Sequence, residues 1–181
     1  MSMQQSYEGL ARLLEYPKEK EELLLSYINV AAYLRQNGIE SRASLFGDMV
    51  RDSTLAELQE DYVAHFDFNP AAAPYLGHHL YGDNQKKGAY MIQVKQEYGR
   101  HDFEPPAEEL PDHLAVVLYF LAHLARRGDD ASRRDFIEKL VLPGLNKLIA
   151  ASAARDASPW LTLVEAAELL CGADCREVPT C

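Results

Sequence analysis

The feature that most constrains the fold is a set of apolar residues with helical spacing between residues 112 and 127. They recur at i, i+3, i+4, i+7, i+10 and i+11, which is the period of one helix face. The members are Leu114, Val117, Leu118, Leu121, Leu124 and Ala125. This segment therefore predicts an amphipathic helix, the clearest in the chain.

The first part of the chain shows the same helical pattern. Residues 6–16 and 18–36 each carry an apolar face. Pro17 ends the first of these segments, and Asn37-Gly38 offers a stop signal after the second.

The middle of the chain contains two helix-start signals. Thr54 and Glu57 have the spacing of a capping box, and Asp83 can cap a helix over residues 84–98. The helix opened by the capping box has a single apolar stripe, made of Leu55, Leu58, Tyr62, Val63 and Phe66.

Three further signals organise the last third. Ser132 begins another predicted helix, which Pro143-Gly144 should break or kink. Ser158-Pro159 is a cap followed by proline at the first helical position, and predicts a helix over 160–170. Since no segment shows sustained alternation of apolar and polar residues, the predicted fold is all-α.

The length of 181 residues suits a single domain with a sizeable core. The least regular stretches are 67–80 and 99–110, and the Pro105-Pro106 pair rules out a continuous helix through the second. We therefore predict a helical-bundle domain over 1–170, with two helix groups joined by a long loop that could act as a groove or hinge.

Three cysteines, Cys171, Cys175 and Cys181, lie within the last eleven residues. They cannot cross-link the body of the fold, and their spacing matches no standard zinc site. We therefore interpret 171–181 as a flexible, exposed tail, and expect truncation after Leu170 to leave function intact. A metal or redox role for the tail is the alternative.

The charge balance restricts the partners. Eighteen Lys+Arg against 28 Asp+Glu give a formal charge of −10, which disfavours nucleic acid and anionic lipid and favours a basic peptide. The alternative is that acidity only keeps the protein soluble. Without a run of about 18 apolar residues or a signal-peptide pattern, we expect no membrane insertion and a cytoplasmic location.

Motifs for catalysis are not evident. The sequence has no glycine-rich phosphate loop, no G-x-S-x-G elbow and no H-E-x-x-H pair. Asp112-His113 could form an acid–base pair, yet no nucleophile or metal partner is evident. We therefore predict a protein that is not an enzyme and has no metal site.

Six blocks of the sequence occur in a characteristic order. They are Tyr62-Val-Ala-His-Phe-Asp-Phe68, Tyr75-Leu76, His79-Leu-Tyr-Gly-Asp83, Lys87-Gly-Ala-Tyr-Met91, Glu109-Leu-Pro-Asp-His-Leu114 and Val141-Leu-Pro143. Together they resemble the NarJ branch of the TorD/DmsD family of molybdoenzyme chaperones. The segment that begins at Glu109 is similar to the family signature E-x-P-D-H, which takes the form E-L-P-D-[YH]-L in NarJ proteins.

The resemblance implies an all-helical chaperone with the E-x-P-D-H segment at the junction of its two parts. Such a protein binds the N-terminal segment of a molybdoenzyme catalytic subunit, a twin-arginine signal or its remnant. It holds the subunit while the molybdenum cofactor is inserted and before membrane attachment, and binds no cofactor stably itself. The implied client-binding residues are Glu109, Pro111, Asp112 and His113, supported by Tyr62, Phe66, Tyr75, Tyr81, Gly82 and Asp83.

The client stays open at this stage. A respiratory nitrate reductase is favoured, but His113 replaces a tyrosine common in NarJ proteins and moves the motif towards the TorD/DmsD form. A dimethyl sulfoxide, selenate or perchlorate reductase, or a role as a non-catalytic helical adaptor, are the alternatives. An enzyme using Asp112-His113 ranks last.

Two physical roles compete for Asp112. Carboxylates pair with guanidinium groups, so Glu109 and Asp112 could accept client arginines. Asp112 could instead cap the helix that begins at His113, and both roles could hold. Tyr62, Phe66 and Tyr75 are interpreted as core residues.

Overall fold

The fold is known from a computed structural model that describes residues 1–153 and 158–176. Those residues contain ten α-helices, no strand, and two π-helical turns, Val63–Asp67 and Ile137–Val141, which continue α4 and α8. The helices are α1 Met3–Leu13, α2 Lys20–Gln36, α3 Ser44–Asp52, α4 Leu55–Tyr62, α5 Leu76–Tyr81, α6 Gln85–Arg100, α7 Leu114–Arg127, α8 Asp130–Phe136, α9 Leu142–Ala153 and α10 Pro159–Arg176. The all-α prediction is confirmed.

Helix α7 lies at the centre of the packing, since its predicted apolar face is buried apart from Ala125, which is half-buried. It packs mainly against α1, which also contacts α2, so helices from both sides of the long loop share one core. Helix α10 packs on α9 and α3, and α5 packs on α9 and α6. No helix in the described ranges is long and apolar enough to cross a membrane.

Two of the predicted helix starts are confirmed and two are corrected. Helix α8 begins at Asp130 and not at Ser132, because Asp129 Oδ1 caps it by accepting from the Ser132 N–H at 3.1 Å. Thr54 and Glu57 form a capping box, with the Thr54 N–H donating to Glu57 Oε2 at 2.7 Å. Ser158 Oγ accepts from the Trp160 N–H at 3.3 Å. Asn84 rather than Asp83 caps α6, because its Oδ1 reaches the Lys86 N–H at 2.7 Å.

Two short helices, α3 and α5, fall where the sequence predicts none. Short helices gain little from propensity alone and form here through tertiary packing. For α5 the packing is very close, since a Cβ added to Gly144 of α9 would lie 2.9 Å from Leu76 Cβ. The helix does not break at Pro143-Gly144, since both residues lie in the first turn of α9. A π-helical turn, Ile137–Val141, instead joins α8 to α9 just before them.

The C-terminal helix continues beyond Leu170 to Arg176, so the predicted tail is wrong for residues 171–176. Cys171 is fully buried, which raises the pKa of its thiol, and Cys175 is half-buried. Cys181 lies outside the described residues.

A buried ion pair explains why α10 continues. The fully buried carboxylate of Asp174 accepts from the Tyr7 hydroxyl at 2.8 Å and from Arg133 Nε and Nη2 at 2.6 and 2.8 Å. These bonds join α10 to α1 and to α8. Truncation after Leu170 would leave the Arg133 guanidinium buried without this carboxylate, so the expectation that such a truncation is harmless is also withdrawn.

We predict that Asp174→Ala lowers the free energy of unfolding by about 3–5 kcal/mol, the usual cost of removing one partner of a buried ion pair. Chemical denaturation of both proteins measures this difference. Asp135→Ala is the matched control, since Asp135 pairs with Lys139 on the surface and its removal should leave the midpoint almost unchanged. Equal effects of the two substitutions would contradict the structural role of Asp174.

Candidate functional site

Two backbone hydrogen bonds join the segment that carries the E-x-P-D-H motif to residues at the start of α5. The Leu114 N–H donates to the Pro74 carbonyl at 2.7 Å, and the Leu76 N–H donates to the Asp112 carbonyl at 3.1 Å. Between them, Tyr75 and His113 form an isolated antiparallel bridge. The pairing fixes the E-x-P-D-H segment beside residues 74–76.

Glu109 faces Tyr75 across this pairing. The Tyr75 hydroxyl donates to Glu109 Oε1 at 3.1 Å, and the Leu110 N–H donates to the same oxygen at 2.9 Å. Burial and the neighbouring Glu109 carboxylate raise the pKa of Tyr75 to about 12, so the phenol remains a donor at neutral pH. Tyr75 is half-buried and lines a groove, which corrects its interpretation as a core residue.

Asp112 lies in the interior and caps α5. Its Oδ2 accepts from the Gly77 N–H at 2.8 Å, whereas the N-cap of α7 is His113, whose Nδ1 accepts from the Ala115 N–H at 3.2 Å. The prediction that Asp112 caps α7 is therefore wrong. The carboxylate instead joins the motif to a helix more than 30 residues earlier in the chain.

The second carboxylate oxygen of Asp112, Oδ1, is also buried. It has no hydrogen-bond partner among the described residues, and burial raises the pKa of the carboxyl. The fit against α5 is tight, since a Cβ added to Gly77 would lie 2.8 Å from Asp112 Oδ2 and 3.0 Å from Tyr90 Cδ1. Asp112 is thus held beneath the surface, where a ligand does not reach it in this conformation.

A groove of about 430 Å³ opens directly above this buried layer. Its lining residues include four carboxylates and one cation. The carboxylates are Glu15, Asp67, Glu108 and Glu109, and the cation is Lys18. The other lining residues are Tyr16, Tyr62, Pro74, Tyr75, Pro106, His113, Ala115, Val116 and Tyr119. The groove is therefore acidic, with aromatic walls, and suits a basic and partly apolar ligand.

The remaining motif residues lie outside the groove, with the exception of Tyr62. Phe66 is buried against Trp160, as predicted, while Tyr62 is buried and also lines the groove. Pro111 is buried, and its carbonyl accepts from the Tyr98 hydroxyl at 2.6 Å. At the far end of α5, Tyr81 packs on Tyr90, Gly82 takes the positive φ that ends the helix, and Asp83 is exposed.

Sequence reasoning missed Glu15, Glu108 and Tyr119 as groove residues. Glu15 and Glu108 carry no local signal, because surface carboxylates are common. Tyr119 falls between Leu118 and Leu121 of the α7 stripe and was passed over as part of that helix. Asp67 could have been found, since it belongs to the block from Tyr62 to Phe68.

Metal binding has no structural support in the described ranges. No group of three or more His, Cys, Asp or Glu side chains there could hold a metal ion. The groove presents carboxylates, tyrosines and the capping histidine His113.

Comparison with known proteins places the chain in a family. The family model described as nitrate reductase delta subunit matches residues 34–163. The chain belongs to this family. The matched range includes the groove segments around Asp67, Tyr75, Glu109 and Tyr119.

Relatives from three bacteria carry chaperone names. The nitrate reductase molybdenum cofactor assembly chaperone NarJ of Escherichia coli K12 is 30% identical over 136 residues, covering 74% of this chain and 58% of its own. Chaperone protein TorD of Shewanella sp. MR-4 is 30% identical (62% and 56% covered), and the probable NarJ of Bacillus subtilis 168 is 28% identical (65% and 64%). The chain thus spans about three fifths of the length of these curated relatives.

We predict that Asp112→Ala lowers the free energy of unfolding by about 0.5–2 kcal/mol, because α5 loses its side-chain cap. Asp112→Asn should cost clearly less, since the amide oxygen can still accept from Gly77 and the buried charge is gone. Denaturant titrations of the two variants and the wild type give the comparison. If both variants are equally unstable, the cap is not what Asp112 contributes.

Because His113 caps α7, the free energy of unfolding should depend on pH. Burial lowers the pKa of His113, although the carboxylates of Glu109, Asp112 and Asp67 oppose the shift. The unfolded chain therefore takes up this proton before the folded one does, and stability is lost as the pH falls through the unfolded value of about 6.5. Burial lowers the pKa of His79 as well, with the same sign.

We expect the free energy of unfolding to fall between pH 7 and pH 5, and His113→Asn to flatten this profile because asparagine caps without titrating. Denaturant titrations across that range test it. The profile of His79→Asn separates the second contribution. An unchanged profile in His113→Asn would show that His113 has the same pKa in the folded and unfolded chains, which would contradict the effect of burial.

Proposed function

We propose that the protein is an assembly chaperone that binds the N-terminal segment of a molybdoenzyme catalytic subunit in the acidic groove. The observation that carries the proposal is the groove itself, in which Glu109 of the family-like motif and its neighbour Glu108 meet Glu15 and Asp67 from other parts of the chain. The names of the NarJ and TorD relatives support a chaperone role.

The groove fits an arginine-bearing amphipathic helix. Four carboxylates offer bidentate acceptors for guanidinium groups, and the formal charge of −10 strengthens attraction at low salt. Apolar contact is available next to the acids, because Phe68 and Leu110 directly follow Asp67 and Glu109 and are 81% and 49% exposed. Each of these two segments thus carries an acid that lines the groove and, next to it in sequence, an exposed apolar side chain.

The motif residues have different roles in this proposal. Glu109 and His113 line the groove and would contact the client. Pro111 and Asp112 are buried and act as positioning residues, through Tyr98 and through the cap of α5. Of the supporting residues, Tyr62 and Tyr75 form the groove wall, whereas Phe66, Tyr81 and Gly82 maintain the surrounding fold. Asp83 is exposed and has no role in the proposal.

The favoured client is a nitrate reductase alpha-type subunit, held in the cytoplasm while its molybdenum cofactor is inserted. The chaperone itself performs no catalysis and keeps no cofactor. A reductase for dimethyl sulfoxide, selenate or perchlorate remains the second candidate client, supported by the TorD relatives and by His113 in the motif. The helical-adaptor alternative predicts no affinity for a free N-terminal segment.

Calorimetric titration with a synthetic peptide from the reductase N-terminus tests the proposal. We expect binding that weakens as salt rises, and a loss of about tenfold or more in affinity for Asp67→Asn/Glu108→Gln, because two exposed groove charges are removed. Peptides from the candidate reductases, compared side by side, identify the preferred client.

The matched control is Glu60→Gln/Asp61→Asn, which makes the same charge change on exposed residues of α4 outside the groove. It should bind almost as the wild type does. Equal losses in the two double variants would mean that overall charge, and not the groove, attracts the peptide. Failure of every reductase peptide to bind would refute the proposed function.

A further inference from the structure

The acidic groove is the middle one of three adjoining cavities. A cavity of about 240 Å³ shares Glu15, Tyr16, Lys18 and Tyr119 with it, and another of about 420 Å³ shares Pro106 and Tyr119. Tyr119 of α7 is the residue that borders all three. A segment lying along this surface therefore has to pass Tyr119.

Charge is concentrated beside Tyr119 in the central cavity. The 240 Å³ cavity is lined by three carboxylates and two cations, which are Glu15, Glu19, Glu22, Arg12 and Lys18. The 420 Å³ cavity is lined by three carboxylates and one cation, which are Glu8, Asp102, Glu104 and Arg126. The central cavity has four carboxylates and only Lys18, so it offers a bound cation the strongest attraction.

The position of Tyr119 is fixed by a hydrogen bond to one of these carboxylates. Its hydroxyl donates to Glu15 Oε2 at 3.2 Å, and the side chain is half-buried, which leaves part of the ring accessible. Burial and the Glu15 carboxylate raise the pKa of Tyr119 to about 12, although the neighbouring Arg12 opposes the shift, so the donor persists at neutral pH. An aromatic ring and a carboxylate are thus held side by side.

This combination discriminates between the two basic side chains. A guanidinium is planar and weakly hydrated, so it can lie on an aromatic ring while it donates two bonds to a carboxylate. The ammonium of lysine is compact and strongly hydrated, and gains less from the ring. A site made of carboxylates alone would treat the two more nearly alike.

We propose that Tyr119, held by Glu15, makes the groove selective for arginine over lysine in the bound segment. The inference rests on the proposed function and adds its specificity. Exposed Tyr16, which borders two of the three cavities, is the competing aromatic residue.

Two synthetic peptides test the idea, the reductase N-terminal sequence and the same sequence with every arginine replaced by lysine. Wild-type protein should bind the arginine form about five- to tenfold more tightly. Tyr119→Phe keeps the ring and should keep most of this ratio. Tyr119→Leu removes the ring but keeps an apolar side chain, and its ratio should fall below about twofold.

Tyr16→Leu is the control and should retain the wild-type ratio, with thermal melts confirming that each variant is folded. A wild-type protein that binds both peptides equally would overturn the selectivity and leave the proposed function in place. The role of Tyr119 in selectivity would also be overturned if the arginine-to-lysine affinity ratio stayed unchanged in Tyr119→Leu, or if it disappeared in Tyr16→Leu. Binding of neither peptide to the wild type would overturn the proposed function, and the selectivity with it.

Discussion

The candidate site depends on the pairing of residues 74–76 with residues 112–114. Two backbone hydrogen bonds, of 2.7 and 3.1 Å, hold a segment of the long loop against the start of α5. The pairing places Glu109 within reach of the Tyr75 hydroxyl and brings His113 beside the Tyr75 ring. Without it, the acidic residues of the motif would belong to a loop with no fixed relation to Asp67.

The side chain of Asp112 also holds residues 112–114 against the start of α5. Its carboxylate caps α5 through Gly77, and α5 packs closely on Gly144 of α9. Asp174 makes a useful contrast, because that buried carboxylate is neutralised by Arg133, whereas Asp112 accepts a backbone N–H and leaves one oxygen without a partner in the described structure. A buried carboxylate kept without a cation costs stability, which is more easily understood at a functional site than in an ordinary core.

Local signals predicted most of the helices. The capping box at Thr54, the Ser158-Pro159 start and the apolar stripe of α7 are all determined by residues within a turn or two, and all are found in the structure. The errors involve long-range partners. Polar Asp174 gave no reason to extend α10 until its partners Tyr7 and Arg133 were known.

The site was predictable only in part, for the same reason. Family-like residues Glu109 and His113 were found from their motif, yet the partner of Asp112 is Gly77, 35 positions away. Glu15 and Tyr119 come together through the packing of α1 on α7, which no local pattern encodes. The sequence predicts Tyr75 as a core residue together with Tyr62 and Phe66, and no local pattern indicates that its ring borders the groove.

Hydrogen–deuterium exchange with and without the reductase N-terminal peptide tests the central claim most directly. The account predicts that added peptide protects backbone amides in three separate segments that border the groove, at 15–18, 67–76 and 108–119. The face of α2 and α3 that exposes Leu25, Ile28 and Leu45 should exchange as before. Protection confined to that apolar face, with the groove segments unchanged, would contradict the account.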